Sequence, residues 1–436
     1  MNTKLQDSKS PRLKNRILLT ISLLTIVRIG SFIPVPYITK EVLVNLLSAE
    51  NSSNNTFAQL LNTFSGGGNS SFGLLSLGIL PYINASIIIQ LLTTIIPALS
   101  KMQKDEGEYG RRKLVDFTRY LTFFWAIVES ISISYSLREV IFEWNLQVYF
   151  LISLSLITGS MIVLWFSELI TKNGLGNGSS LLICFNIVSN LPDQIKFSLI
   201  SLKNQINNFS NIFLLISIFL ITTIGCIYIN EAIIKIPLVS ARQLLKKTKS
   251  EEKNSSNSIL PLRINQAGVM PLVFTSYAIL FFSSLFEIIK KQTNIFNIFF
   301  QYPILNSVIS YWFLKILFWI FYATLIFFFT YFYSTIVLDP KDVAERFRKN
   351  SVVILGISPG SSTRSYLSKI LRFIAKINAI FLIYNIIGLQ ILESILNLNI
   401  INIRGLGFTS QLILVNVLID TIKRIRSFLN EEENYF

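Results

Sequence analysis

Leu77-Gly78-Ile79-Leu80-Pro81-Tyr82-Ile83-Asn84-Ala85-Ser86-Ile87-Ile88-Ile89-Gln90 decides the fold. The stretch is uncharged and lies inside an apolar block running from Leu74 to Leu99. About 20 apolar residues let a helix cross the ~30 Å hydrocarbon core of a bilayer, so this block reads as a membrane span. Ile79 and Ile83 are four apart and share one helix face. Upstream, Ser65-Gly66-Gly67-Gly68-Asn69-Ser70 interrupts a shorter apolar segment from Phe57 to Phe72. Glycine permits backbone shapes closed to other residues, and at membrane depth such backbone survives only inside protein or beside water. The glycine run therefore hints at a cavity next to the span.

Working outward, comparable blocks recur along the chain. They run from about Ile17 to Ile38, Leu74 to Leu99, Phe117 to Leu137, Val148 to Ile170 and a short Ser179 to Leu191. Further on they run from Asn211 to Ile234, Ala267 to Ile289, Leu314 to Leu338, Leu367 to Leu392 and Gly405 to Ile422. Composition agrees, since 51% of residues are hydrophobic and only 14% charged, against roughly 25% charged in a soluble protein. Spans in lipid must satisfy their own backbone hydrogen bonds, so the expectation is an all-α polytopic membrane protein with ten transmembrane helices. Asn173-Gly174-Leu175-Gly176-Asn177-Gly178 reads as a tight surface turn between the fourth and fifth blocks.

The net charge is +15, but no basic stretch is interleaved with aromatics as nucleic-acid stacking requires. The basic residues instead alternate between loops. The N-terminal 1–16 (Lys4, Lys9, Arg12, Lys14, Arg16), the 100–116 loop (Lys101, Lys104, Arg111, Arg112, Lys113) and the 235–263 loop (Lys235, Arg242, Lys246, Lys247, Lys249, Lys253, Arg263) are rich in them. So are the 339–366 loop (Lys341, Arg346, Arg348, Lys349, Arg364) and the tail at 423–436 (Lys423, Arg424, Arg426). The intervening loops are poor in Lys and Arg, which fits ten spans with both termini on the positive-inside face. Lys369, Arg372 and Lys376 crowd one end of the ninth block, where long side chains can snorkel. No small-residue cleavage site follows the first block, so it reads as a retained span. Cys184 and Cys226 lie in apolar runs and read as buried packing residues. Histidine is absent. No phosphate-binding loop, metal cluster or nucleophile–base pair appears, so no enzyme, catalytic residue, metal or cofactor is expected, and energy for transport must come from a partner.

Ordered motifs give a resemblance. The Leu77–Gln90 stretch resembles the second span of the SecY family of protein-translocase channels. In register with it are Arg28-Ile29-Gly30-Ser31-Phe32-Ile33-Pro34-Val35-Pro36, Gly107-Glu108-Tyr109-Gly110-Arg111-Arg112-Lys113, and Trp165-Phe166-Ser167-Glu168 followed by Gly174-Leu175-Gly176-Asn177-Gly178. Asn265-Gln266-Ala267-Gly268-Val269-Met270-Pro271, Pro359-Gly360 with Thr363, and Thr409-Ser410 with Asp420 continue the series.

The resemblance implies two pseudo-symmetric five-helix halves of inverted topology, here 17–200 and 201–422. It implies a pore ring of Ile79, Ile83, Ile183, Ile187, Val273 and Ile413, because branched apolar side chains make a compliant gasket that water leaves readily. It implies a plug at 61–72 containing Ser65, Gly66, Gly67 and Gly68. It also implies a lateral gate between the second and seventh spans with Ser86, Glu129 and Asn265. Glu129 stands where the family usually has an uncharged amide, so it either alters the gate or sits near a polar partner such as Asn265. The two basic loops resemble a docking surface for the ribosome and the SecA motor ATPase, with Arg242, Lys246, Lys247, Arg346, Arg348 and Arg364. There Ser358 and Gln243 depart from the family's basic residues. A SecE-like subunit, a possible SecG-like subunit, preprotein substrates and membrane lipid complete the implied partners. The excess of Ile, Asn, Lys and Phe fits an AT-rich genome and a plastid-encoded copy in the thylakoid membrane, with a bacterial inner membrane as the alternative. The competing function is a secondary transporter of a small solute, which would need polar groups converging at mid-membrane.

Overall fold

The computed structural model describes residues 13–37, 73–104, 106–136, 145–203, 208–240, 258–266, 268–276, 278–279, 308–395 and 408–433. The chain forms two compact units, one of residues 1–206 and 401–436 and the other of 207–400. The first contains α1 (Leu13–Ser31), α2 (Leu80–Ile95), α3 (Pro97–Lys104), α4 (Gly107–Ser136), α5 (Leu146–Asn173) and α6 (Gly178–Lys203). The second contains α7 (Asn208–Glu231), β1 (Ile233–Ser240), β2 (Ser258–Arg263), α8 (Val308–Val337), α9 (Pro340–Lys349), β3 (Val352–Ile354) and α10 (Ser361–Ile395). The last helix, α11 (Phe408–Glu433), returns to the first unit and packs on α6 and α1.

Among the described residues, α5 (Leu146–Asn173), the segment Ile316–Lys349 spanning most of α8 with α9, and Ser361–Gly388 of α10 are each long and apolar enough to cross a membrane. The pair α2 and α3 is long and apolar enough only when taken together, and it is bent by 106° at its break, as a broken span or a re-entrant segment would be. Many large apolar side chains stay exposed, among them Ile221, Ile224 and Tyr228 on α7 and Ile320 and Phe328 on α8. Aqueous solvent would penalise such continuous apolar surface, whereas acyl chains do not.

Three expectations need correction. The second block is not one helix from Leu74. Residues 74–79 form turns, α2 starts at Leu80, and the helix breaks at Ile96. Pro97 explains the break, because the residue before a proline is pushed out of the helical region. Ile96 has φ −94° and ψ 112°. The sixth span ends at Glu231, short of Ile234, and the fifth helix is much longer than its apolar block, reaching Lys203 with Pro192 inside it.

The fold is also not all-α. A three-stranded antiparallel sheet, ordered β2-β1-β3, is built from parts of the two basic loops, 235–263 and 339–366. Its signal was alternation. Along Ile233–Ser240, Ile236 and Leu238 are buried while Ile233, Lys235 and Pro237 are exposed, the period of two that marks a half-buried strand. Ile236, Leu238, Leu262 and Ile354 then build a small core with Leu367 and Ile374 of α10.

Glycines allow close backbone approach in the first unit. A methyl on Gly73 would run into the carbonyl of Ser31, and one on Gly159 into the carbonyl of Leu74. Gly159→Val should lower the melting temperature of the detergent-solubilised protein, with an overpacking cost of about 1–3 kcal/mol. Gly388→Ala, which has open space around it, should leave melting unchanged or raise it.

Candidate pore and gate residues

The turn before α2 is seated by the end of α1. Leu74 N–H donates to Ile33 C=O at 2.8 Å, and Pro34 bridges to Gly73. Gly78 turns the chain at φ 54°, a conformation costly for residues with a Cβ. Ile79 then caps α2, and its carbonyl accepts from Ile83 N–H at 3.1 Å. Ile79 and Ile83 are both buried, Ile79 to 1% exposure. The same turn helps close a small cavity with α1, α5 and α6, lined by Arg28, Ser31, Leu75, Gly78, Leu182 and Asn186.

On α6, Ile187 is buried and Ile183 half-buried. The glycine stretch that launches α6 is the tight turn expected, but its glycines face inward while Lys172, Asn173 and Asn177 are exposed. Gly174, Gly176 and Gly178 are buried, and the Gly178 N–H donates to Thr171 Oγ1 at 2.8 Å. Ile413 is buried on α11, which packs against α6. Val273, the sixth expected ring member, belongs to the second unit. It is buried in the helical segment 270–276, next to Phe274, whose ring stacks on Phe329 of α8 at 5.5 Å.

Two polar links cross the first unit. Asn84 Nδ2 on α2 donates to Glu129 Oε1 on α4 at 2.7 Å. Glu129 is 8% exposed, and its Oε2 has no hydrogen-bond partner. Within the first unit, the partner of Glu129 is thus Asn84. Ser86 only returns its hydroxyl to Ile83 C=O at 2.9 Å. Arg119 on α4 grips Glu168 on α5 bidentately, with Nε donating to Oε1 at 2.6 Å and Nη2 to Oε2, while Nη1 donates to Asp116 at 2.9 Å. Forked pairs of this kind combine strength with fixed orientation.

In the second unit, Asn265 sits in a buried amide chain. Asn378 Nδ2 on α10 donates to Asn265 Oδ1 at 3.0 Å, and Asn265 Nδ2 donates to Asn230 Oδ1 at the end of α7. Sequence reasoning missed this chain, Asn84 and the Arg119–Glu168 pair. The available signal was a polar side chain inside an apolar block, which must find a partner; which partner it finds depends on packing.

The expected docking residues divide. Arg242, Lys246 and Lys247 lie outside the described residues, as do Ser65, Gly66, Gly67 and Gly68 of the expected plug. Arg346 and Arg348 are exposed in the last turn of α9. That helix is capped by Asp339, whose carboxylate accepts from Lys341 N–H at 3.0 Å, and it begins at Pro340. Acid at the start and base at the end both suit the helix dipole. Arg364 is exposed at the start of α10. Ser358 accepts from Thr363 Oγ1 through its carbonyl at 2.9 Å and donates its hydroxyl to Ser362 at 2.8 Å, so it shapes the turn into α10. Both cysteines are buried and free. Among the described residues no acidic or cysteine cluster could hold a metal.

Apolar spans, exposed apolar faces and internal polar links define a polytopic membrane protein. The SecY family profile matches residues 73–422. The chain is 40% identical over 431 residues to the protein translocase subunit SecY of Guillardia theta, covering 98% of each chain. It is 42% identical over 424 residues to that of Pyropia yezoensis, covering 97% of each. Among solved structures it resembles one described as a protein conducting channel, with TM-score 0.62, 17% identity and coverage of 98% of this chain and 95% of that one. It also resembles Sec61 in a canine ribosome-channel complex, with TM-score 0.57, 16% identity and the same coverage. The chain belongs to the SecY family. It is an integral membrane channel subunit for protein translocation rather than an enzyme, and the solute-transporter reading falls away.

Glu129→Gln retains an acceptor for Asn84 and should leave translocation within about twofold. Glu129→Leu strands a buried amide, at a cost of about 1–3 kcal/mol, and should lower melting. A double-mutant cycle on Arg119→Leu and Glu168→Leu should give a coupling of about 1–3 kcal/mol in unfolding.

Proposed function

We propose that the chain forms the pore through which unfolded preproteins cross, or enter, the membrane. Ten spans in two inverted five-helix halves surround it, and Ile79, Ile83, Ile183, Ile187, Val273 and Ile413 form its apolar constriction. The observation that carries this reading is the seating of Ile79 and Ile83. They stand at the start of a helix that a rigid, glycine-packed turn launches from within the protein, with no charged residue from Leu74 to Leu99. An apolar neck of this kind sheds water when empty and so resists ions, yet yields to an extended chain.

The segment 61–72 serves as a plug on one side of that neck. Signal sequences leave laterally past Ser86, Glu129 and Asn265, each buried CH₂ favouring lipid by ~0.8 kcal/mol. The basic docking set, Arg242, Lys246, Lys247, Arg346, Arg348 and Arg364, meets a ribosome or a SecA-type motor. A solved neighbour described as a ribosome-channel complex supports the first of these partners, and SecE-like and SecG-like subunits complete the assembly. The high identity to SecY from Guillardia theta and Pyropia yezoensis supports a plastid thylakoid location.

A photocrosslinker at Ile83 should capture a stalled preprotein, and capture should require the motor and ATP. Labelling by lipid alone would overturn the pore reading. Ile83→Asn with Ile187→Asn should raise the resting ion conductance of the empty channel in planar bilayers.

A further inference from the structure

Three asparagines of the second unit meet at the segment that follows β2. Asn230 stands at the end of α7, Asn265 just past β2 and Asn378 on α10. Backbone pairing brings the first two elements together, with Ile264 N–H donating to Ala232 C=O at 2.9 Å. Asn378 Nδ2 donates to Asn265 Oδ1 at 3.0 Å, and Asn265 Nδ2 donates to Asn230 Oδ1. The three residues are 5%, 6% and 2% exposed in chain order.

This amide chain is open at both ends. Asn230 Nδ2 and Asn378 Oδ1 are buried without a hydrogen-bond partner. So is Oε1 of Gln266, the residue after Asn265. Reversing one or two of the three asparagine amides would set like atoms against each other. Reversing all three turns the chain round and again leaves one donor and one acceptor open. Amide orientation therefore does not account for the open ends. Packing beside them is loose, since a methyl on Gly268 would meet no atom within 4 Å.

The three open groups are one amide donor and two carbonyl acceptors. A cation would face the amide protons of Asn230, and an anion would face two carbonyl oxygens. A water suits all three. It accepts from Asn230 Nδ2 and donates to Gln266 Oε1 and Asn378 Oδ1. That uses both its protons and makes three bonds, the usual number for a buried water.

We propose that one ordered water completes this chain and bridges α7, the turn after β2 and α10. A single water matches three buried polar groups at once, which outweighs the entropy of holding it. The bridge follows small shifts of α7 against α10 that a direct amide contact could not. The segment leading to Val273 is thus held by a joint that yields without leaving a polar group unmatched. The proposal goes beyond the pore reading and holds whether or not Val273 lines a pore.

The test is a cryo-EM map of the full chain in lipid nanodiscs, enlarged by a bound antibody fragment, at about 2 Å, where ordered waters are visible. The expected result is one peak at about 3 Å from Asn230 Nδ2, Gln266 Oε1 and Asn378 Oδ1. Its height should not change when rubidium replaces sodium in the buffer. Gln266→Met removes one acceptor and leaves the asparagines in place, and it should lower the peak by about half or more. Asn378→Leu should abolish the peak and lower the melting temperature. Gly388→Ala should leave the peak at full height. Direct pairing of Asn230 Nδ2 with Asn378 Oδ1 and no peak would overturn the proposal. So would a peak that grows with rubidium, or one that Gln266→Met leaves unchanged.

Discussion

The candidate pore depends on backbone segments packed too closely for side chains to intervene. Gly73 lies against Ser31, Gly159 against Leu74, and the side chain of Leu75 fills the space where Gly30 would carry a Cβ. Together they lock the turn 73–79 between α1 and α5. That lock fixes where α2 begins, and hence where Ile79 and Ile83 stand. A span that started at Leu74 as one continuous helix would carry the same residues at another height and azimuth, since each residue adds ~1.5 Å and ~100°.

Polar groups inside the apolar layers supply the second constraint. Each must be matched within the protein, because lipid offers no partner. Arg119 with Glu168, and Asn84 with Glu129, tie α4 to its two neighbours, while the asparagine chain ties α7, the turn after β2 and α10 together. The matching within the chain is incomplete at several places among the described residues. Glu129 Oε2, Asn230 Nδ2 and Asn378 Oδ1 are buried with no hydrogen-bond partner. Unmatched groups in a core weaken it.

The small sheet answers a different need. Long polar connections would leave their backbone donors and acceptors to solvent, whereas β1, β2 and β3 pair them and bury Ile236, Leu238, Leu262 and Ile354 against α10. This gives the expected docking loops a rigid base. Asn265 follows β2 directly, so the same segment connects the sheet base to the helix that carries Val273.

The sequence by itself determined the membrane class, the approximate positions of most helices and the family, because hydropathy, charge alternation and ordered motifs are properties of the chain read in a line. It also placed Ile79 and Ile83 in a special stretch and marked Glu129 as an acid in need of a partner. Tertiary structure decided the rest. It broke the second span at Ile96, paired parts of two loops into a sheet, gave Glu129 the amide of Asn84 across 45 positions and drew Asn265 into a chain with Asn230 and Asn378. Local periodicity carries no information about which distant polar group will fill a buried valence; that choice follows from how closely the backbones can pack.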